Sequence, residues 1–500
     1  MEKIKYLLRL LLLSFFLFNT MEAEIRLPSI ISDHMVIQQK TTVPIWGWGR
    51  NGEEVKIKGS WMNEEVKTIT DENGKWFIKI QSPSGGGVYN ISIKGENTII
   101  INDVLAGEVW LASGQSNMAF KLKNAENAGE AIASSDYPEI RFFQVEHTYS
   151  DKPQENCNGE WIISSPKTSS EFSAVAYFFA KEIYKKINAP VGMISSSKGG
   201  SPVESWININ EYGADNAVIS ELFKMWQEWK EKYPIEKKKY ELELSNSMKA
   251  SKEKPRKPVS VSMIEKPHRR PGYLYNAMIA PIVPYTIKGV IWYQGENNTD
   301  RPFQYRKLFP MMISDWRKEW NLGDFPFYYV QIASYNCKKD FDSSSYLREA
   351  QLMTMKVPNT GMVVTSDISE LDNIHPRNKL DVGKRLALWA LAKTYGFKDI
   401  VCSGPLYRSF KIEGNKIRLF FDYIGSGLVQ KDKKLTEFEI AGSDKKFKKA
   451  TAEIEDSTVV VYNLNISDPV AVRYCWSMIS IPKLYNKEGL PAAPFRTDNW

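Results

Sequence analysis

The stretch that decides the fold runs from Gly107 to Met118 and is Gly-Glu-Val-Trp-Leu-Ala-Ser-Gly-Gln-Ser-Asn-Met. Its first half is a hydrophobic run of the kind that forms a buried strand. The run ends at Gly114, and the polar residues 115–117 follow directly. Open α/β sheets bind ligands at the carboxyl ends of their strands. The stretch therefore predicts a strand that presents the Ser116 hydroxyl at a ligand-binding edge.

Ser116 is a candidate nucleophile. The amide that follows it would lie at a helix N-terminus, where negative charge is favoured, so an oxyanion could form beside the hydroxyl. An ordinary N-cap serine would explain the same pattern. The Gly-x-Ser-x-Gly elbow of α/β-hydrolases is absent because residue 118 is Met.

A serine nucleophile needs a base, and the chain has four histidines. His34 lies in a predicted β-sandwich and His268 in a basic insertion, whereas His147 follows a strand-like run and could face a pocket. His375 lies in a polar loop just before an amphipathic helix pattern. We therefore predict that His375 is the base for Ser116.

Two carboxylates could orient the imidazole of His375. Asp372 lies three residues earlier and can reach one ring nitrogen while the other faces Ser116, as in a catalytic triad. Asp367, which lies further from His375 along the chain, is the alternative orienting carboxylate. A surface-loop histidine with a turn aspartate would have the same spacing, so the choice stays open.

Two further loops follow predicted strands and contain glycine. In one loop, Gly199 and Gly200 have no side chain that would keep a backbone N–H from an oxyanion. In the other, Gln294 or Asn297 could donate a hydrogen bond to the same oxyanion. We expect these loops, the Ser116 turn and the His375 loop at one end of one sheet, which favours an acyl-transfer site.

The pattern along the chain predicts three folded parts. Residues 24–103 contain short alternating runs separated by Gly, Asn and Asp turns, which are typical of a small β-sandwich. Residues 104–400 alternate strand-like and helix-like runs, which predicts an α/β domain with a largely parallel sheet. A charged insertion at about 220–270 has a helical first half with a break at Pro234. Residues 401–500 predict a C-terminal β domain.

Composition excludes several classes of protein. Hydrophobic residues make up 43% and charged residues 25% of the 500, which is ordinary globular usage rather than that of a disordered or mostly membrane-embedded chain. The net charge is +7, and residues 228–270 hold +6 of it, with 13 Lys and Arg against 7 Asp and Glu. A nucleic-acid binder needs a basic face on a folded domain, whereas this excess lies in one Lys-rich segment that we interpret as a solvated surface insertion, so we predict no nucleic-acid binding.

The first 23 residues have the pattern of a secretory signal peptide. A basic start precedes the apolar run Leu10–Phe18, which is too short for a stable membrane span. We predict a secreted or periplasmic protein without a membrane span once the signal is removed, and an uncleaved anchor is the alternative. Export permits disulfides. The cysteines allow three pairings or four separate thiols, and they are Cys157, Cys337, Cys402 and Cys475.

Taken together, these segments resemble the SGNH-type hydrolases, and specifically the sialate O-acetylesterase family of carbohydrate esterases. The resemblance covers nearly the whole chain after residue 24. Its most distinctive match is the end of the sequence, residues 484–498, which includes Pro-Ala-Ala-Pro-Phe-Arg-Thr-Asp at residues 491–498. The other matching segments are residues 27–38, 44–47, 114–118, 199–206, 292–297, 374–376 with Lys379, and 383–386.

The resemblance implies an SGNH-hydrolase-like, flavodoxin-like parallel sheet flanked by helices. It implies Ser116 as nucleophile and His375 as base, with an oxyanion hole formed by the Ser116 N–H, the glycine turn 199–200 and Gln294. Asp372 fits the Asp-x-x-His spacing of SGNH enzymes. The sequence departs from the family pattern at Asn297, where serine is more usual.

The expected function is that of an exported serine esterase acting on an acetylated carbohydrate. O-acetylated sialic acid is the expected substrate, and acetylated xylan or pectin is the alternative; a glycan-binding protein with a weak hydrolase site is a further one. No metal or organic cofactor is expected, and the oligomeric state stays open. The residues expected to contact substrate are Gln115, Asn117, Trp206, Glu296 and Asn297.

Overall fold

The computed structural model of the protein describes residues 24–213, 215–250, 253–255, 257–337 and 343–500. The predicted signal peptide, residues 1–23, lies outside the described residues.

Short strands form the N-terminal part. They are β1 (Val36–Gln38), β2 (Thr42–Trp48), β3 (Glu54–Gly59), β4 (Val66–Ile69), β5 (Lys75–Gln81) and β6 (Tyr89–Lys94). β2 pairs antiparallel with β5, and β3 pairs antiparallel with β4 and β6, whereas β1 pairs in parallel with the strand that follows β6. In β5 every second residue is buried, so that Trp76, Ile78 and Ile80 face the core.

One long strand, β7 (Thr98–Gly114), joins this part to the rest of the molecule. Its first half pairs antiparallel with β6, and its second half lies in the central sheet. The predicted boundary between residues 103 and 104 therefore falls inside a continuous strand, and residues from both sides share one hydrophobic core. The division of the chain into domains stays a prediction.

The central sheet continues from β7 on both sides. Its order is β13-β12-β11-β7-β10-β8-β9, and every neighbouring pair is parallel except β8 and β9. The predicted α/β fold is thus confirmed, although the sheet is mixed because β9 returns antiparallel at the edge. The added strands are β8 (Tyr137–Val145), β9 (Gly159–Ser164), β10 (Val191–Ser197), β11 (Gly289–Tyr293), β12 (Phe327–Val330) and β13 (Thr360–Val363).

Helices pack against this sheet and extend from it. The described α-helices are α1 (Ala128–Ala133), α2 (Ala174–Ile187), α3 (Ala217–Lys249), α4 (Val259–Ile264), α5 (Pro302–Trp320), α6 (Ser343–Met353) and α7 (Leu380–Trp389). α7 starts directly after the His375 loop and packs closely against α2, where a Cβ on Gly383 would lie 2.9 Å from the Phe179 nitrogen. α3 passes through Pro234, which corrects the predicted break; because this part of the helix is largely exposed, water can satisfy the carbonyl that proline leaves unpaired.

The C-terminal residues form antiparallel sheets around a hydrophobic cluster of their own. Two four-stranded sheets have the orders β14-β15-β20-β19 and β18-β17-β21-β23. The strands are β14 (Leu406–Glu413), β15 (Lys416–Asp422), β16 (Leu428–Gln430), β17 (Phe438–Gly442), β18 (Lys448–Lys449), β19 (Thr451–Glu455), β20 (Thr458–Tyr462), β21 (Pro469–Tyr474), β22 (Leu484–Asn486) and β23 (Phe495–Arg496).

All four cysteines are free thiols in the structure, so none of the three possible pairings is formed. Burial raises the pKa of Cys157 to about 12, so its thiol stays protonated and unreactive at neutral pH. None of the helices in the described ranges has the length and apolar character needed to cross a lipid bilayer.

Candidate active site

The strand β7 ends in a turn that only glycine can start. Gly114 has φ +137°, and a Cβ there would overlap the carbonyl oxygen of Tyr293 on the neighbouring strand. The chain then makes a single helical turn, in which the Met118 and Ala119 amides each donate to the Gln115 carbonyl at 2.9 Å. This geometry leaves Ser116 half-buried at the carboxyl edge of the sheet.

The structure brings Ser116 and His375 together. The distance between Ser116 Oγ and His375 Nε2 is 2.7 Å. The histidine loop is held by its own polar groups, since the His375 amide donates to Asn373 Oδ1 at 3.0 Å and Asn373 donates to Glu370 at 3.0 Å. The pair therefore has the geometry of a nucleophile and its base, although 259 residues separate its members.

The environment keeps the His375 imidazole neutral. Burial lowers the pKa of His375 below its ordinary value of 6.5, and the nearby positive charge of Lys379 lowers that pKa further. A neutral imidazole can accept the proton of the Ser116 hydroxyl, which is what a general base must do.

Neither carboxylate proposed as an orienter contacts the imidazole. Asp372 is exposed, and no hydrogen bond joins it to His375 among the described residues. Asp367 instead binds Arg385 through both carboxylate oxygens, each at 2.7 Å, in a nearly buried pair. The prediction of an Asp372 triad is thus not matched by this geometry, in which Asp372 is exposed to solvent.

Asn117 connects the segments that form the site. Its side-chain amide donates to Glu296 Oε1 at 2.7 Å and to the Ile374 carbonyl at 3.1 Å, and its oxygen accepts from Lys379 Nζ at 2.6 Å. The expectation that Asn117 contacts substrate is corrected, since this side chain is fully buried. Its role is to hold the serine turn against the histidine loop.

Two buried ionisable groups flank Asn117. Burial lowers the pKa of Lys379 to about 7, while the charge of Glu296 opposes this shift. Burial also raises the pKa of Glu296, and its hydrogen bond from Asn117 partly offsets that increase. Glu296 Oε1 accepts from Asn117 and Oε2 is buried with no partner among the described residues, so the predicted contact of Glu296 with substrate stays a prediction.

Backbone N–H groups at two positions can serve as an oxyanion hole. An ideal Cβ on Gly199 would lie 3.5 Å from Ser116 Cβ, so the glycine turn directly faces the nucleophile. Within the described residues, neither the Ser116 nor the Gly199 N–H donates to an acceptor in the protein. Gly200 follows with φ +71°, the left-handed conformation that glycine adopts without strain.

Gln294 is not free to join that oxyanion hole. Its side-chain nitrogen donates to the Ser201 carbonyl at 3.2 Å and to Asn298 Oδ1 at 2.7 Å, and the residue is fully buried. Both amide hydrogens are therefore committed to protein acceptors. Gln294 supports the glycine turn from below, which corrects its predicted role as an oxyanion donor.

The other residues expected to contact substrate are also largely structural. Trp206 is fully buried, donates from its indole nitrogen to Ser201 Oγ at 3.0 Å and packs edge-on against Trp292. It cannot stack on a sugar from there. Gln115 is buried and accepts from the amides of Gly295 and Asn297 at 3.4 Å. Asn297 differs from these two residues, because its side-chain nitrogen is buried and has no partner among the described residues, and its predicted contact with substrate stays a prediction.

A buried network that sequence reasoning missed joins the glycine loop to the third loop. Glu204 pairs with Arg301 at 2.7 Å and accepts from Asn298 at 2.9 Å. Asn298 also accepts from the Val203 amide at 2.9 Å. The motifs quoted for these loops contain Glu204 and lie next to Asn298, but nothing local in the sequence indicates that the side chains meet.

A family of known enzymes matches this chain. The family model for carbohydrate esterase, sialic acid-specific acetylesterase, covers residues 106–235 and 258–392, which is more than half of the chain. The chain belongs to this family. The match includes all four loops of the site and leaves out residues 236–257, in the charged insertion.

Relatives of this carbohydrate esterase extend over almost its entire length. The sialate O-acetylesterase of Pongo abelii is 29% identical over 94% of this chain and 92% of its own, and that of Mus musculus is 29% identical over 94% of each. A carbohydrate acetylesterase from Xanthomonas citri has a solved structure with a TM-score of 0.81 and 33% identity, covering 95% of this chain and 100% of its own. The protein is therefore an ester hydrolase, as the sequence resemblance predicts.

Proposed function

We propose that the protein is an exported serine esterase that removes acetyl groups from O-acetylated sialic acid through an acetyl-enzyme on Ser116. The observation that carries this proposal is the 2.7 Å contact between Ser116 Oγ and His375 Nε2. The family description names sialic acid-specific acetylesterases, and the mammalian relatives are called sialate O-acetylesterases, which supports the choice of sugar.

Acylation begins when His375 Nε2 takes the Ser116 proton and Ser116 Oγ attacks the acetyl carbonyl carbon. The carbonyl oxygen becomes an oxyanion, which the Ser116 and Gly199 N–H groups stabilise by hydrogen bonds. The tetrahedral intermediate then collapses, and the bond between the carbonyl carbon and the sugar oxygen breaks. The protonated His375 donates its proton to that sugar oxygen, so that the free hydroxyl leaves.

Deacylation repeats the same chemistry with water as the nucleophile. His375 accepts a proton from the water, whose oxygen attacks the acetyl carbon on Ser116. The second tetrahedral intermediate then collapses, the bond between the acetyl carbon and Ser116 Oγ breaks, and protonated His375 donates its proton to Ser116 Oγ. The released acetic acid ionises to acetate at neutral pH. Asn117 is a positioning residue throughout, because its hydrogen bonds to Glu296 and to the Ile374 carbonyl keep nucleophile and base at contact distance.

We also infer an SGNH-type arrangement for the hydrolase part. The strand order β10-β7-β11-β12-β13 supports it, because this order corresponds to the 2-1-3-4-5 order of flavodoxin-like sheets when the β8–β9 hairpin is treated as an addition at the edge. Export is supported by the basic start and apolar run of the first 23 residues.

Acetate release by the purified protein tests the function. We expect release from O-acetylated sialic acid and its loss, by about 10³-fold or more, in Ser116→Ala, because removing a serine nucleophile eliminates the covalent route. Ser113→Ala is the matched control: Ser113 lies three residues earlier on β7, and its buried hydroxyl has no partner among the described residues, so its removal should leave activity unchanged.

The possible outcomes of this assay test the nucleophile assignment and the sugar assignment separately. Acetate release from acetylated xylan but not from sialic acid would keep the Ser116 mechanism and replace the proposed sugar. Cleavage that survives in Ser116→Ala would overturn the nucleophile assignment. Release from neither sugar, with intact hydrolysis of 4-nitrophenyl acetate, would overturn the sialic acid assignment and leave the esterase chemistry.

A further inference from the structure

The charged insertion returns to the active site at its end. Residues Pro267–Arg269 form a short 3-10 turn beside the glycine turn. An ideal Cβ on Gly200 would lie 3.2 Å from Arg269 Nη2 and 4.0 Å from His268 Nε2. Gly199 faces Ser116, and the next residue of the glycine turn, Gly200, faces Arg269. The Arg269 guanidinium therefore lies near the nucleophile.

Arg269 is fixed on one side and free on the other. Its Nη1 donates to Ser262 Oγ at 2.6 Å and to the Ser262 carbonyl at 3.2 Å, and only 9% of the residue is exposed. Its Nη2 has no acceptor among the described residues and, unlike Nε, is not sealed from solvent. A planar guanidinium held in this way is suited to bind a carboxylate, because it loses little freedom when the anion arrives.

The surroundings of Arg269 favour an anion. Burial, together with the positive charges of Arg269, Lys198 and Lys266, lowers the pKa of His268 to about 4, so several cations surround this imidazole. The nearby carboxylate of Glu204 is already paired with Arg301 and Asn298. His268 Nε2 is buried and has no hydrogen-bond partner in the described part of the chain.

We propose that Arg269, with His268 beside it, binds the carboxylate of an acidic acetylated sugar and so directs the ester of that sugar to Ser116. Arg269 is then a specificity residue that distinguishes acidic from neutral acetylated sugars. This inference rests on the proposed function, since it names the group of the substrate that the esterase recognises. It also assigns a role to the end of the insertion, which the sequence alone indicates only as a solvated surface.

The first test uses the unmodified protein and two substrates that differ only at the carboxylate. These are O-acetylated N-acetylneuraminic acid and the same sugar with a carboxamide at C1. We expect kcat/KM to be at least about tenfold higher for the acid, mainly through a lower KM, because a charge-assisted hydrogen bond is lost with the amide. Equal values for the two substrates would overturn the proposal without any variant.

The second test compares Arg269→Gln with Arg270→Gln. Both remove one positive charge from the same segment, but Arg270 contacts the Tyr273 hydroxyl at 3.3 Å and does not approach the glycine turn. Arg269→Gln should lower kcat/KM for the acid to about the value for the carboxamide, and should lower kcat/KM for the carboxamide and for 4-nitrophenyl acetate much less. Arg270→Gln should leave all three values unchanged. An equal loss on all substrates in Arg269→Gln would mean that Arg269 only supports the turn.

Failure of the sialic acid assignment can be distinguished from failure of this inference. If the unmodified protein does not cleave the acetylated sugar, free N-acetylneuraminic acid is tested as an inhibitor of 4-nitrophenyl acetate hydrolysis. Inhibition that is lost in Arg269→Gln supports the anion site even though the substrate differs. Absence of inhibition in the unmodified protein overturns it.

Discussion

In the proposed mechanism, the protonation state of His375 sets the lower pH limit of the reaction. Burial and the charge of Lys379 lower its pKa, so the imidazole remains a base under conditions that would protonate an ordinary histidine. Below its pKa the imidazole carries a proton and cannot accept another from Ser116. The acid side of the pH profile therefore reports the environment of a single residue.

We expect the acid limb of kcat/KM for 4-nitrophenyl acetate to be centred below pH 6.5, the ordinary histidine pKa, because burial and the charge of Lys379 lower the pKa of His375. A pH–rate profile measures this directly. Lys379→Met should move the acid limb towards higher pH, because it removes the positive charge that lowers the His375 pKa. A limb centred above pH 6.5 in the unmodified protein would contradict the inferred environment.

Replacing the two candidate orienting carboxylates, Asp372 and Asp367, should have different effects on activity and stability. Asp372→Asn should change kcat/KM by less than about threefold, whereas loss of a true triad aspartate costs about 10⁴-fold. Asp367→Asn should instead lower the free energy of unfolding by about 3 kcal/mol, because it breaks a nearly buried ion pair and leaves Arg385 without its partner. Steady-state kinetics and thermal melts of both variants separate these roles.

At the level of elements, the ends of β7 and β10 position the chemistry. β7 delivers Ser116 and β10 leads into the glycine turn, and the two strands pair in parallel up to Gly114 and Ser197. The Lys198 amide then donates to the Gly114 carbonyl at 3.0 Å. The strand pairing thus places two loops side by side that are 83 residues apart in the chain.

Two glycines at these strand ends should respond differently to alanine. Gly114→Ala should lower the free energy of unfolding by more than about 2 kcal/mol, because its Cβ would meet a backbone carbonyl in a left-handed conformation. Gly199→Ala should fold normally, since its Cβ would be 3.5 Å from Ser116 Cβ, an ordinary contact. It should reduce kcat/KM by filling space at the nucleophile. Equal melting temperatures for the two variants would contradict this difference.

At the scale of the whole molecule, the last residues join the C-terminal sheets to the hydrolase part. Arg473 contacts both oxygens of Asp498 at 2.8 Å, and Arg496 contacts Asp498 at 3.2 Å. Arg496 also pairs with Glu349 of α6 at 2.7 Å. The distinctive Phe-Arg-Thr-Asp end of the sequence therefore has a structural role, because it places one buried carboxylate between two arginines.

Asp498→Asn should destabilise the protein by about 3 kcal/mol, since it leaves two arginines without their buried carboxylate. The matched control is Asp422→Asn, which removes the partner of Arg408 in an exposed pair and should change stability by less than about 1 kcal/mol. Denaturant unfolding measures both. Equal stability of the two variants would show that the C-terminal contact contributes nothing.

Local pattern was sufficient for much of the fold. The alternating runs before residue 94 and the buried runs at β7, β10 and β11 correspond to strands in the structure, because period and apolar content are short-range properties of the chain. The antiparallel β9 strand and the passage of α3 through Pro234 were not predictable in this way. Both depend on the surroundings of the element, namely a free sheet edge and solvent around the helix.

The sequence by itself determined that Ser116, His375 and the glycine turn follow strands, and so that they meet at one edge of a sheet. Only the tertiary structure decided which neighbouring polar residues serve the reaction and which are buried beneath it. Asn117 and Gln294 have polar side chains of the kind that bind substrate, yet these side chains form hydrogen bonds with other parts of the protein, including residues distant in the chain. Arg269 reaches the site from the charged insertion, and no local sequence pattern indicates this position. The position of a side chain depends on packing between distant segments rather than on nearby residue types.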